Sequence, residues 1–244
     1  MKVTRFLASL LLLGATASVS FAQGAVSLTW TSCTGPVNLT VSGGTPADAY
    51  VSVLGHSMVA QAYQCVTIGG SPGGAIRDAW RFDPTGCEGS SFFTLNHLAP
   101  AAVVKACPSF QGTIQSLQIK DFSFDGTTGK VRITLANAYP NNGLGNPGAV
   151  NPAQRYFLAN YLFDLSFATA GPTPPDLSTC GGVEVPVCFA LTSASWLDNS
   201  GVETPWAVAG GFITTNDPNN SQQCPGAVPV APRTWGSVKS QYRN

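Results

Sequence analysis

Apolar and polar residues alternate along much of this chain. From Phe157 to Phe167 every odd position is apolar (Phe157, Ala159, Tyr161, Phe163, Leu165, Phe167), and Asn160, Asp164 and Ser166 hold the even side toward its end. A period of two is the pattern of a strand with one buried and one wetter face. Val131, Ile133 and Leu135 alternate with Arg132 and Thr134 in the same way, and the preceding Asp125-Gly126-Thr127-Thr128-Gly129 has the composition of a hairpin turn. That hairpin pairs 114–124 with 130–137. In its first strand Leu117 and Ile119 occupy odd positions but Phe122 and Phe124 even ones, so a β-bulge near Lys120 is expected to bring all four to one face. Further strands are predicted at 25–31, 36–42, 49–55, 61–68, 76–82, 92–96, 187–196 and 206–215, between Gly, Pro, Asn and Asp clusters. Roughly ten strands and almost no helical period predict an all-β fold, a two-sheet antiparallel sandwich of jelly-roll or immunoglobulin-like type.

The two ends of the chain depart from this pattern. Lys2 and Arg5 precede an apolar run from Phe6 to about Leu13 and a small-residue segment ending Ser20-Phe21-Ala22. This is the form of a secretory signal peptide, with cleavage expected after Ala22. The apolar run is too short to span a bilayer, so no transmembrane segment is predicted. At the other end Thr234 can cap a short helix with Trp235, Val238 and Tyr242 on one side, after the stiff stretch Cys224-Pro-Gly-Ala-Val-Pro-Val-Ala-Pro-Arg. The expected organisation is a signal peptide over 1–22, a sandwich over 23–223, and a Pro-rich spacer with a short C-terminal helix over 224–244. Two connections, 138–154 and 168–186, are longer than loops in compact domains usually run, which marks them as functional candidates or plain insertions.

Charge narrows the partners. Removing Lys2 and Arg5 from 12 basic residues leaves 10 against 12 acidic ones, a formal charge of −2 with no run of either sign. Such a chain does not attract nucleic acid or anionic lipid. Seven cysteines in an exported chain point to a disulfide framework with one thiol left over, and to an extracellular or periplasmic destination. Local loop closure pairs Cys180 with Cys188 and Cys87 with Cys107, each worth about 2.5–3.5 kcal/mol in the chain-entropy model. Cys33, Cys65 and Cys224 then share one bond and one free thiol, with Cys33–Cys65 favoured by the shorter loop. No Cys-x-x-Cys occurs, and His56 and His97 lie far from any cysteine pair, so neither a metal site nor a cofactor is predicted.

Catalytic patterns are weak. Gly55-His56-Ser57-Met58 follows an apolar strand as a nucleophile elbow does, but Val59 stands where that elbow needs glycine, and no helix is predicted to follow. Asp78 and Asp83 flank Trp80, and Asp78 shares the parity of Ile76, Trp80 and Phe82, an inward position that suits an ion pair with Arg77 or Arg81. No residue is assigned a catalytic role. Tyr139, Trp196 and Trp206 lie at strand ends or in loops, where exposed rings could form a sugar-binding platform. The reading is an exported, surface-associated or extracellular binding or structural module, leaning away from enzyme, whose partner is a protein or a glycan. The alternatives are a carbohydrate-binding module and a secreted hydrolase using two carboxylates.

Two resemblances add to this. The tail Thr-Trp-Gly-x-Val-Lys-x-x-Tyr-Arg, Thr234 to Arg243, together with the leader and scattered cysteines, resembles a group of uncharacterised secreted bacterial proteins. The Gly129 to Phe167 region, a hairpin leading into a long strand ending in an apolar-x-Phe pattern, is similar to cohesin-type sandwiches. The second resemblance implies a role in extracellular adhesion.

Overall fold

The strands run in chain order as β1 (Ala25–Trp30), β2 (Asn38–Leu39), β3 (Ala47–Leu54), β4 (Ala62–Gly70), β5 (Phe93–Asn96), β6 (Leu117–Asp125), β7 (Lys130–Ala138) and β8 (Arg155–Phe163). They continue as β9 (Ala168–Thr169), β10 (Cys180–Gly181), β11 (Val187–Leu197), β12 (Glu203–Pro205), β13 (Ala207–Val208) and β14 (Phe212–Thr215). The computed structural model describes residues 24–56, 60–97, 107–110, 117–139, 150–198, 200–217 and 224. The predicted leader over 1–22 and the predicted helix after Thr234 lie outside these residues, as do Ser57, Met58 and Val59 of the elbow-like string.

Two sheets form a sandwich. One has the order β13-β1-β3-β8-β5, the other β2-β14-β11-β4-β7-β6 with β12 beside β11. The central pairs β1/β3, β3/β8, β4/β7 and β4/β11 are antiparallel, whereas short β13 and β2 join β1 and β14 in parallel. Each inner face repeats the period of two: Val26, Leu28 and Trp30 from β1, and Val131, Ile133 and Leu135 from β7, are buried in one core. The two layers meet at Phe163 of β8 and Phe189 of β11, whose rings stack with centroids 5.1 Å apart. Gly69 of β4 makes room for this contact, because a Cβ there would lie 2.6 Å from the Phe189 ring.

Four local expectations are corrected. The segment 76–82 is not a strand: Asp78–Trp80 is a 3₁₀ turn, and Ile76 N–H donates to the carbonyl of Gly129 at 2.8 Å instead of entering a ladder. Its apparent alternation arises because this crossing segment drops Ile76, Ala79, Trp80 and Phe82 into the core without needing a pleat. Asp78 therefore does not point inward, and it pairs with neither Arg77 nor Arg81. The bulge near Lys120 is absent, since β6 pairs with β7 without a shift from Leu117↔Ala138 to Asp125↔Lys130. Phe122 and Phe124 face the core, and Ile119 lies on the opposite, partly wetted side. One irregularity sits in β8, where Val51 pairs with Ala159 but Ser52 with Phe157, and another in β11 between Leu191 and Ser193. Phe157 thereby leaves the main core for a separate cluster with Tyr50, Cys33 and Cys107, and Leu158 takes the inward place. The strand ends at Phe163, and Phe167 is 48% exposed.

The cysteine connectivity differs most. The bonds are Cys33–Cys107, Cys87–Cys180 and Cys188–Cys224, with Cα separations of 6.1, 5.6 and 5.4 Å, and Cys65 is a buried free thiol. Local closure of Cys180 with Cys188, Cys87 with Cys107 and Cys33 with Cys65 is overturned. Cys180 and Cys188 occupy different sheets, and sandwich topology brings residues 74 and 93 positions apart to within bonding distance. Among the described residues, no helix is long and apolar enough to cross a membrane.

Non-reducing peptide mapping should recover these three bonds, with Cys65 alkylated only after unfolding. Recovery of a Cys180–Cys188 peptide would refute the connectivity. Phe163→Ala should lower stability by about 3–5 kcal/mol, read by urea denaturation, because it empties the contact between the layers.

Candidate functional site

The long 168–186 connection builds one wall of a concavity among the described residues. Its ends pair in parallel through β9 and β10, and the Cys87–Cys180 bond pins them to the loop after the 3₁₀ turn. Thr173 locks the connection to that turn, since its hydroxyl donates to Asp78 Oδ2 at 2.6 Å and accepts from Gly181 N–H at 2.9 Å. Gly182 has φ +90°, and a Cβ there would sit 2.8 Å from Arg77 Cβ, so the glycine lets the Arg77 stem lie across the loop. Gly171 N–H donates to Glu184 Oε1 at 3.0 Å. The resulting cleft, about 510 Å³, is lined by Arg77, Asp78, Pro172, Thr173, Gly182 and Glu184 among others. Arg77 and Glu184 are exposed and Asp78 half-buried, so the cleft offers one guanidinium and two carboxylates. Glu184 also borders a more open groove of about 810 Å³ with Asn38, Thr40 and Asp217.

Tyr139, Trp196 and Trp206 do come together, but inside the protein. They are only 8%, 2% and 3% exposed. Trp206 Nε1 donates to His56 Nδ1 at 3.0 Å, His56 lies 4.7 Å from the Trp196 ring, and Tyr63 lies 6.2 Å from Tyr139. The expectation of exposed rings is therefore corrected: strand-end positions here close one end of the core, and these three rings offer no face to a sugar. His56, from the elbow-like string, is itself 0% exposed and belongs to this cluster.

Most acids serve as local acceptors. Asp83, 3% exposed, takes a two-point ion pair from Arg81 at 3.0 and 2.9 Å and the Thr85 hydroxyl at 2.6 Å. Burial pushes its carboxyl up, but the Arg81 and Thr85 hydrogen bonds and the Arg81 charge together hold it below the usual carboxylate range. Thus the expected buried ion pair exists, at Asp83 in place of Asp78. Asp125, Asp176 and Asp198 accept from backbone N–H groups two residues on, and Glu203 accepts from Ser195. Asp48 accepts from Asn160, while burial raises its carboxyl. Glu88 differs from these, being 2% exposed with no hydrogen-bond partner at either oxygen.

Sequence reasoning named Arg77 only as a partner for Asp78, and it passed over Thr173, Glu184 and Glu88. The length of the 168–186 connection was the one signal that pointed near Thr173 and Glu184.

No family model matches the chain, and no curated protein matches it. Three solved structures illustrate what it resembles in shape. A cohesin module from a Clostridium perfringens family 33 glycoside hydrolase is 13% identical, with 80% of this chain and 98% of that one covered at a TM-score of 0.36. The second type II cohesin module of the ScaA scaffoldin of Acetivibrio cellulolyticus is 10% identical, with 81% and 98% covered at 0.40. A non-cellulosomal cohesin from Archaeoglobus fulgidus is 10% identical, with 80% and 94% covered at 0.34.

Burial first, and the Asp164 charge second, push the Glu88 carboxyl up from 4.5 to about 7. The folded chain holds this proton where the unfolded chain has released it. The stabilising contribution is therefore full below pH 4.5, declines as pH rises toward 7, and is gone above it, a difference of about 2–3 kcal/mol. In metal-free buffer, Glu88→Gln should flatten the urea midpoint across this window and exceed the wild type at pH 8. A wild-type midpoint that is level from pH 4.5 to 8 would refute the assignment.

Proposed function

We propose that this chain is an exported, extracellular or surface-associated binding module without catalysis, and that it holds a protein segment in the cleft between the 3₁₀ turn and the 168–186 connection. The observation that carries this reading is the cleft itself. A disulfide, two hydrogen bonds through Thr173 and a close approach at Gly182 fix its walls, as a preorganised binding surface requires. Its mixture of Arg77 with Asp78 and Glu184 complements a peptide that bears both signs of charge. Among the described residues no aromatic ring lines it, which favours protein over glycan, because sugar recognition draws on stacking faces. Three disulfides suit the oxidising compartment that export implies.

The hydrolase alternative would look to Glu88, whose carboxyl is raised first by burial and second by the Asp164 charge. Both Glu88 oxygens are shut off from the surface, so neither can reach a scissile bond.

Probing a displayed library of extracellular peptides and a glycan array with the wild-type protein and Arg77→Glu tests the reading. Peptide ligands retained by the wild type and weakened at least tenfold in the variant, with unchanged melting temperature and with weaker binding at high salt, are expected. Ligands that Arg77→Glu binds equally well, or glycan ligands alone, would overturn it.

A further inference from the structure

An antiparallel sheet commonly leaves its outer face to water, but the sheet β2-β14-β11-β4-β7-β6 does not. Five described apolar residues are buried there and belong to neither core cluster: Ala62 and Val66 of β4, Ala136 of β7, and Cys188 and Ala190 of β11. Their neighbours along the strands, Tyr63, Cys65, Leu135, Val187, Phe189 and Leu191, face the core, so all five side chains point away from it. Exposures from 1% at Ala136 to 7% at Ala190 are nonetheless those of an interior.

The register joins them into one patch. Val66 lies between Ser193 and Thr134, Gln64 between Ser195 and Ala136, and Ala190 pairs with Ile68. Small side chains thus floor a trough across β11, β4 and β7, about 10 Å wide. Partly buried Phe212 stands beside Ala190 on one flank and Ile119 beside Ala136 on the other. Gln64 points outward as well, and its Oε1 is a buried acceptor with no hydrogen-bond partner.

One end of the chain is tied to this patch. Cys188 holds Cys224 through a disulfide, so residues 225–244, which lie outside the described residues, start from the outer face itself. Val66 is four residues along β4 from Gly70, the partner of Cys188, or about 13 Å. The stiff stretch 225–233 can extend about 28 Å, ample for that distance. Beyond it Trp235, Val238 and Tyr242 share one side of a helical pattern and span about 10 Å, matching the width of the trough. A helix this short does not persist alone in water.

We propose that residues 225–244 fold back over the outer face of this sheet and seat Trp235, Val238 and Tyr242 on the floor made by Ala190, Val66 and Ala136. The indole and phenol donors of the stripe are the chemistry that Gln64 Oε1 lacks. The first sheet carries a comparable device, since Tyr50 and Phe157 on its outer side pack against the Cys33–Cys107 bond.

Iodide quenching of tryptophan fluorescence in the oxidised full chain tests the docking. Trp30, Trp80, Trp196 and Trp206 are buried, so of the five tryptophans Trp235 reports the tail. The wild type should show no quenchable fraction, and Val66→Asp, which sets a charge on the floor, should release one that Trp235→Phe then removes. Truncation after Cys224 should lower the melting temperature by about 5–10 °C. A quenchable Trp235 in the wild type, or a truncated chain that melts with the wild type, would overturn the proposal and leave the tail free to serve as a recognition peptide. Shielding that survives Val66→Asp, or that is lost on hundredfold dilution as for a face covered by a second copy, would overturn it as well. Should Val66→Asp or the truncation fail to fold, Ala190→Glu decides by the same quenching: release of Trp235 supports the docking, and continued shielding refutes it.

Discussion

Phe163 of β8 and Phe189 of β11 stack across the space between the sheets, and the surrounding core is organised around that pair. Trp30, Trp80, Phe82 and Phe93 surround Phe163 at centroid distances of 5.4 to 6.2 Å. Trp30 comes from β1, Phe93 from β5, and Trp80 and Phe82 from the segment that crosses between layers, so besides Phe189 one ring gathers two strands and a connection. Tilted and edge-on arrangements dominate, as expected from the charge distribution of aromatic rings. Because interiors are close-packed, the seat of Phe189 depends on the missing side chain at Gly69.

The cleft depends on the same packing. Trp80 is buried at the end of the 3₁₀ turn, and its burial sets where Arg77 and Asp78 emerge on the surface. From there Thr173 and Cys180 draw the 168–186 connection against the turn. A loop that would otherwise lose much entropy on binding is ordered beforehand by a covalent bond and by short polar contacts. The Cys87–Cys180 bond also fixes the approach to Glu88, so the cleft and the buried carboxylate share one staple.

Much of the fold was legible because strand formation leaves a local record. Val131, Ile133 and Leu135 alternate with polar neighbours, and Asp125 carries turn chemistry that the structure realises through its bonds to Thr127 and Thr128. The failures share a cause. Parity cannot tell a strand from a segment such as 76–82 that drops side chains into a core in another conformation. Nor can it say where a register shift falls: the slip at Lys120 was absorbed by placing Ile119 on the outer face, while the real shift beside Phe157 left no mark in an unbroken run of alternating residues. The aromatic trio was grouped rightly and placed wrongly, because a ring at a strand end is wet or buried according to what lies over it.

The amino-acid pattern by itself determined the all-β class, the main hairpin, the core-facing residues of most long strands and the presence of cysteines able to staple them. These are properties of spacing, and spacing is written along the chain. Tertiary structure alone decided the cysteine partners, the burial of Tyr139, Trp196 and Trp206, the choice of Asp83 over Asp78 for the ion pair, and the placing of Arg77 and Glu184 around one cleft. Each of these joins residues that are distant in sequence or sets a side chain's exposure, and both depend on how two sheets stack, which no local period encodes.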